Sequence, residues 1–346
     1  MDRPLCLIVN PAAGNGRSAR LLSQATAVLE QAGVEHQVVE SSSLDHALEL
    51  SAQAAQRGDA VIAVGGDGLA GALAGIAAAG GRTTYRRPAD YSYIGAMYGI
   101  IPTGRGNDLA RMLGIPADPA AAARVVAAGQ YRQIDLIGVS LPGQPETIVA
   151  GSVYVGIPSV AGEIANATRM LPGSLVYHVA ALRALARWKP VQFTVSVSLP
   201  VPAQGTDTAH SDADGTWTSL AESTTRHSVH KFEGYAVIVA NNAFFGAGMK
   251  VAPPALIDDG VLDIVLMRKA PKLTFVRALL KVKNGTHVTL PQVDLDRGAE
   301  VTLAMSRDMP AAADGEPLAC AAPLAADAAL RIRVLPGALR VYVPGS

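Results

Sequence analysis

Three glycine-rich loops in the first third of the chain each close a short apolar run, and this repetition constrains the fold more than any other feature. Asn10-Pro11-Ala12-Ala13-Gly14-Asn15-Gly16-Arg17 follows the run 5–9, Gly65-Gly66-Asp67-Gly68 follows the run 60–64, and Pro102-Thr103-Gly104-Arg105-Gly106-Asn107-Asp108 ends the run 98–102. A further short buried strand is expected at 34–39, and helical patterns fill 18–31, 45–57 and 69–79, continuing at 109–113 and 119–128. Short strands alternating with helices of this length give βαβ units and a parallel sheet. In an open parallel sheet the loops that follow strands fall on one edge, where ligands bind.

The loop chemistry suits phosphate. A glycine turn between a strand and a helix leaves backbone N–H groups free, and the helix dipole adds positive potential. Glycine also permits positive φ and close approach of a ligand. Asp67 is suited to a metal or a metal-bound water beside that phosphate. One such loop is equally a bare tight turn; three on one edge form a large anion cradle. The dinucleotide fingerprint G-x-G-x-x-G after the first strand is missing, as is the G-x-x-x-x-G-K-[ST] loop.

The texture changes near Tyr131. Strand-like segments then dominate, at 133–141, 147–155, 191–199, 235–240, 262–267, 288–295, 300–304, 330–334 and 339–343, with helical pieces at 175–188 and 272–283. The reading is an α/β domain with a parallel sheet (1–133) followed by a mainly antiparallel β-sandwich (134–346), the last ~20 residues being free to pack back on the first domain. Residues 80–93 and 201–231 read as insertions, the longer one a mobile hairpin.

Bulk composition excludes several classes. The 346 residues are 49% hydrophobic but only 5% aromatic, so the cores are aliphatic. Net charge is zero, which leaves no global pull toward nucleic acid, and any attraction to anionic lipid must be local. Cys6 and Cys320 are far apart and form no disulfide framework, which fits a reducing cytoplasm. No secretory leader or membrane-length apolar run is visible, so a cytoplasmic protein with peripheral membrane contact is expected.

Beyond the three loops, Asn241-Asn242 with Gly246-Ala247-Gly248-Met249, Val251-Ala252-Pro253 running to Asp258-Asp259-Gly260-Val261-Leu262-Asp263, Asp314-Gly315-Glu316-Pro317, and Leu335-Pro336-Gly337 follow in order. This ordered set resembles the diacylglycerol kinase catalytic family of bacterial lipid kinases, relatives of sphingosine kinases and, more distantly, NAD kinases. The resemblance implies the NAD kinase/diacylglycerol kinase-like fold, with ATP and Mg²⁺ bound between two domains and a γ-phosphate passed to a lipid hydroxyl, most simply that of diacylglycerol.

The same resemblance assigns roles. Asn10, Ser41 (with Ser42 and Ser43 as neighbours in a loose alignment), Gly65, Gly66, Asp67, Gly68, Leu69, Gly104, Arg105, Gly106 and Asn107 line the nucleotide. Asp314 and Glu316 are the catalytic carboxylates, either of which could take the acceptor proton. Asp259 and the carbonyls of Leu256 and Val261 form a structural magnesium site; an acidic turn before a strand is the alternative. Two positions depart from the family: Leu69 stands where a threonine is usual, and so does Arg105, whose guanidinium could contact a phosphate.

A lipid acceptor requires a membrane surface. Residues 272–283 place Leu273, Val276 and Leu280 at helical spacing among Lys272, Arg277, Lys281 and Lys283. That helix either lies on an anionic surface or packs on the sandwich with a solvated basic face. Arg82, Tyr85, Arg86 and Arg87 offer a second surface contact, and a homodimer is compatible with the chain. Another lipid or polyisoprenoid alcohol as acceptor, NAD as acceptor, and a non-catalytic nucleotide- or lipid-binding regulator are the competing readings.

Overall fold

Four short strands, β1 (Leu5–Val9), β2 (His36–Glu40), β3 (Ala60–Gly65) and β4 (Met97–Pro102), run parallel in the order β2-β1-β3-β4. β1, β3 and β4 are buried at every position, because helices cover both faces of the sheet, whereas β2, expected at 34–39 as a buried strand, is a half-exposed edge strand that starts at His36. The intervening helices are α1 (Arg17–Gln31), α2 (Leu44–Arg57) and α3 (Asp67–Ala78), with α4 (Asp108–Met112) and α5 (Pro119–Ala128) after β4. Their ends obey local chemistry. The Ser43 side chain caps α2 and Gly58 ends it at φ 86°; Asp118 caps α5, which starts on Pro119 and ends at Gly129, φ 72°. The computed structural model describes residues 3–11, 17–81, 95–104, 106–167, 173–201, 224–307, 309–318 and 329–345. Arg105, Cys320, Arg82, Tyr85, Arg86, Arg87, the inner residues of the first glycine loop and residues 202–223 of the longer insertion lie outside that set.

The remaining elements are β5 (Tyr131–Ser140), β6 (Thr147–Val149), β7 (Ser152–Gly156), α6 (Ile157–Ala167), α7 (Gly173–Arg187), β8 (Val191–Val201), β9 (Thr224–Ala240), β10 (Phe244–Phe245), β11 (Met249–Lys250) and β12 (Leu262–Arg268). After them come α8 (Lys272–Val282), a 3-10 turn (Thr286–Thr289), β13 (Val293–Gly298), β14 (Glu300–Met305), β15 (Ala311–Ala313), β16 (Glu316–Pro317) and β17 (Leu330–Tyr342). They are mainly antiparallel, in the order β16-β15-β7-β9-β8-β14-β17. Their core is aliphatic, with Val191, Phe193, Val195 and Val197 of β8 alternating inward to meet Val301, Leu303 and Met305 of β14. β17 joins the two halves: Arg340 and Val341 pair parallel with Met97 and Tyr98 of β4, while its length pairs antiparallel with β5 and β14.

Several local readings change. Residues 147–155 are two strands, parted at Ala150 and Gly151. The run 288–295 yields a strand only from Val293, because the 3-10 turn takes Thr286–Thr289. The segments 330–334 and 339–343 are one strand with an irregularity between Leu335 and Leu339. Residues 224–231, read as part of an insertion, extend β9 and pair with β8. α6 has no strong sequence signal, since Pro158 and Gly162 both weaken a helix.

His287 in the 3-10 turn is fully buried, with Nε2 3.0 Å from the Val251 carbonyl oxygen and Nδ1 without a partner among the described residues. Burial holds its pKa below the ordinary 6.5. A depressed histidine contributes stability above its unfolded value, which is lost as the pH falls below 6.5, because the unfolded chain then binds the extra proton. Chemical denaturation between about pH 7 and about pH 5 should therefore show the wild type losing stability relative to His287→Gln. Parallel pH profiles for the two proteins would contradict it.

Candidate active site

The C-terminal ends of β1, β3 and β4 bring Asn10, the Gly65–Gly68 turn and the 103–107 loop to one edge. The second and third loops meet backbone to backbone. Thr103 N–H donates to the Gly65 carbonyl at 2.9 Å, and a Cβ on Gly104 would lie 2.4 Å from Gly66 Cα. A Cβ on Gly106 would stand 2.2 Å from Asp67 Oδ2. The glycines are thus fixed by close packing as much as by backbone angle. No side chain caps α3, and its first internal bond runs from Ala70 N–H to the Gly66 carbonyl at 3.0 Å. The N–H groups of Asp67, Gly68 and Leu69 therefore face outward at a helix N-terminus. Leu69 itself is core: only 9% exposed, its Cδ2 would be 2.7 Å from a Cβ on Gly65. Nearby, Asn107 sits at φ 54° and donates from Nδ2 to the Gly104 carbonyl at 3.1 Å. Its Oδ1 and the Thr103 hydroxyl are buried without a partner among the described residues, which fits a polar ligand on this loop.

Across this edge stands the β15–β16 turn. Asp314, at φ 48°, is held by three backbone donors: Ala150 N–H to Oδ2 at 2.9 Å, Gly151 N–H to Oδ1 at 2.9 Å and Ser152 N–H to Oδ1 at 2.8 Å. The parting of β6 from β7 frees those donors. The next residue, Gly315, donates to Tyr154 Oη at 2.9 Å and completes the turn. Asp314 presses against helix α3, where a Cβ on Gly71 would lie 2.8 Å from its Oδ2. Glu316 follows on the exposed side, its Oε1 3.1 Å from where a Gly68 Cβ would be. Burial raises the pKa of both carboxyls, and the backbone donors counter it at Asp314. So Asp314 has both oxygens engaged, whereas Glu316 has no donor among the described residues.

A third carboxylate, Asp108, closes the cleft from α4. It accepts from Gly248 N–H at 2.7 Å and Ala247 N–H at 3.0 Å, tying the third loop to the turn between β10 and β11. Burial first, then the charge of Asp67, pushes its pKa up to about 6. Asp67 is raised by burial too, and accepts from Asp108 N–H at 2.5 Å. Arg111 lies 4.0 Å from Asp108 and 5.7 Å from the centre of the Phe244 ring. Like charges this close leave the site short of positive charge, which a divalent cation would supply. Among the described residues, no three His, Cys, Asp or Glu side chains form a metal cage.

At the acidic turn Asp258–Val261 both carboxylates already hold cations. Asp258 pairs with Arg132, and Asp259 pairs with Arg297 while accepting from Val261 N–H at 3.1 Å. Arg297 Nε is also 3.4 Å from Asp263. A divalent ion on Asp259 and the carbonyls of Leu256 and Val261 would have to displace Arg297, so the turn as folded does not fit a metal. Asp135 braces it, accepting from Gly260 N–H at 2.6 Å and Gly337 N–H at 2.7 Å. Ser41 is buried and donates to the Val9 carbonyl at 3.1 Å, which fixes the end of β1 beside Asn10; Ser42 pairs with His46 and Ser43 caps α2.

Sequence reasoning did not single out Asp108, Asp135, Gly71 or Gly151. Asp135 had a signal, as the one charge inside the buried stretch 134–139 of β5.

Comparison with known proteins gives the same outline. Residues 4–139 match the diacylglycerol kinase catalytic domain, and residues 151–343 match the YegS C-terminal NAD kinase beta sandwich-like domain. The diacylglycerol kinase of Mycobacterium tuberculosis H37Rv is 28% identical over 97% of this chain and 94% of its own. That of Bacillus subtilis strain 168 is 26% identical over 90% and 88%. A Bacillus anthracis Sterne structure put forward as a diacylglycerol kinase superposes with a TM-score of 0.70 at 18% identity, covering 99% of this chain and 97% of that one.

Gly104→Ala tests the loop contact. The added methyl must move one backbone against another, and overpacking of this kind costs about 1–3 kcal/mol. Calorimetric titration should show nucleoside triphosphate binding weakened at least about tenfold, with the circular dichroism spectrum unchanged. Unaltered affinity would show that the Gly66–Gly104 contact does not shape the site.

Proposed function

Because the chain belongs to the diacylglycerol kinase family, with matched domains running from residue 4 to residue 343, we propose that it is an ATP-dependent lipid kinase converting diacylglycerol to phosphatidic acid. One observation carries this reading. The Asp314–Glu316 turn stands against the glycine face of α3, with Glu316 beside Gly68 and Asp314 beside Gly71. A proton acceptor therefore faces a phosphate cradle across the two halves of the molecule.

In this proposal the triphosphate lies on the N–H groups of Asp67, Gly68 and Leu69, flanked by Gly65, Gly66, Gly104, Gly106 and Asn107, with Arg105 available to the same loop. Asn10 and Ser41 border the nucleoside end. Asp67 would hold the water shell of a magnesium ion brought in with ATP, and such an ion would supply neutralisation of the phosphate charge. The second, structural ion implied for Leu256, Asp259 and Val261 would require Arg297 to leave.

Glu316 and Asp314 then have separate tasks. A lipid hydroxyl is a very weak acid, so its attack benefits from a base. Glu316 has a carboxylate without a donor among the described residues, and burial raises its proton affinity. The hydroxyl oxygen forms the new P–O bond, the bond from γ-phosphorus to the bridging oxygen breaks, ADP leaves, and the hydroxyl proton passes to Glu316. Asp314 supplies a fixed negative charge and sets the turn. Its three donors make it a poor base and a good anchor.

The test is transfer of labelled γ-phosphate from Mg-ATP to a panel of lipids and to NAD. Labelled phosphatidic acid supports the proposal. Label only in another lipid reassigns the acceptor, label only in NADP refutes lipid phosphorylation, and ATP binding without transfer favours a regulator. Glu316→Gln should keep its melting temperature and ATP affinity while kcat falls roughly 10²–10⁴-fold. Asp314→Asn should lose turnover and also melt earlier, because an amide cannot accept from all three N–H groups. Full turnover in Glu316→Gln would remove it as the base.

A further inference from the structure

We propose that the outward face of α8 docks the protein on an anionic phospholipid bilayer. The inference rests on the lipid-kinase reading and adds the surface through which the enzyme meets its substrate. Leu273 and Leu280 are 64% and 70% exposed, the most open large apolar side chains among the described residues. They are seven residues apart, two helical turns, and so share one line along the helix. The opposite side of α8 is occupied: Ala278 and Val282 are buried, and Phe275 packs edge-on against Tyr235 at 5.4 Å. The core therefore already has its share of apolar contacts, and the two leucines are surplus to it.

The charges around that line are sorted. Arg277 falls between the leucines, and Lys281 and Lys283 flank them, in a helix that contains no acidic residue. Lys272 Nζ donates to the Ala186 carbonyl at 2.7 Å and ties α8 to α7, where Leu182, Arg183 and Arg187 are also exposed. Several arginines and lysines elsewhere are neutralised: Arg132 by Asp258, Arg226 by Asp296, Lys269 by Glu233, Arg333 by Glu146. Arg183, Arg187, Arg277, Lys281 and Lys283 form no ion pair among the described residues. In a chain of zero net charge, this face thus gathers five basic side chains without an ion pair among the described residues. Exposed leucines ringed by unpaired cations match an anionic interface, where apolar tips enter the acyl boundary and bases meet headgroups. The face is also well placed, since α7 packs on α6 and α6 reaches β16, which begins at Glu316.

Sedimentation with phosphatidylcholine vesicles, with and without phosphatidylglycerol, tests this. The wild type should bind the anionic vesicles and release as salt rises. Leu273→Ser with Leu280→Ser, and separately Arg277→Glu with Lys281→Glu, should each weaken vesicle binding by about tenfold or more at unchanged melting temperature. Phosphorylation of a water-soluble short-chain diacylglycerol should be unchanged in both variants, while phosphorylation of vesicle-embedded diacylglycerol falls in proportion to binding. Wild-type binding by both variants overturns the proposal, as does a dimer that both variants break while vesicle binding persists. Vesicle binding that depends on α8 without phosphorylation of any lipid would leave the docking face standing and refute the kinase reading instead.

Discussion

The arrangement depends on one carboxylate and three amides. Asp314 is seated on the N–H groups of Ala150, Gly151 and Ser152, which are free because the chain breaks its ladder between β6 and β7. Without an acceptor those donors would be orphaned; without the donors a half-buried carboxylate would be forced toward its neutral form. The contact also holds Asp314 at φ 48°, a left-handed conformation that a single hydrogen bond would not secure. Because the turn is fixed, Glu316 is fixed, and its place beside Gly68 follows from backbone geometry.

The facing wall is built by the same means. Gly66 and Gly104 touch because neither has a side chain, and Gly71 and Gly151 make room for Asp314. Each substitution of hydrogen for a side chain sacrifices backbone order in the unfolded-to-folded balance, yet brings two backbones or a backbone and a carboxylate together. Asp67 and Asp108 repel one another in this narrow space, and Asp314 feels the charge of Asp67. This crowding of like charge opposes folding locally and favours binding of a cation, as expected where stability is traded for function.

Much of this was readable from the chain. Three strand-to-helix glycine loops in series gave the parallel sheet and its loop edge, whereas Asp314-Gly315-Glu316 was legible only through its likeness to a family motif and alone reads as a solvated acidic turn. Other features depend on contacts that no local pattern encodes. Residues 147–155 are apolar enough to read as one strand, and only the arrival of Asp314, more than 160 positions later, explains the break. Leu69 looked like a lost phosphate ligand; folded, it is a core residue lying over Gly65. Asp259 looked like a metal ligand, but Arg297, on a strand paired through β12, brings its own cation to it. Asp108 was visible only as half of an Asn-Asp pair, and its bonds to Ala247 and Gly248 needed the second half of the chain to be in place.

The central claim is that the glycine edge and the Asp314–Glu316 turn form one phosphoryl-transfer site. A crystal structure with Mg²⁺ and a non-hydrolysable ATP analogue tests it most directly. The account predicts the terminal phosphate within hydrogen-bonding reach of the Asp67–Leu69 amides, Glu316 facing it, and the three donors still on Asp314. A nucleotide bound away from the Gly65–Gly68 turn, or Asp314 released from Ala150–Ser152 to contact the phosphate in place of Glu316, would contradict it.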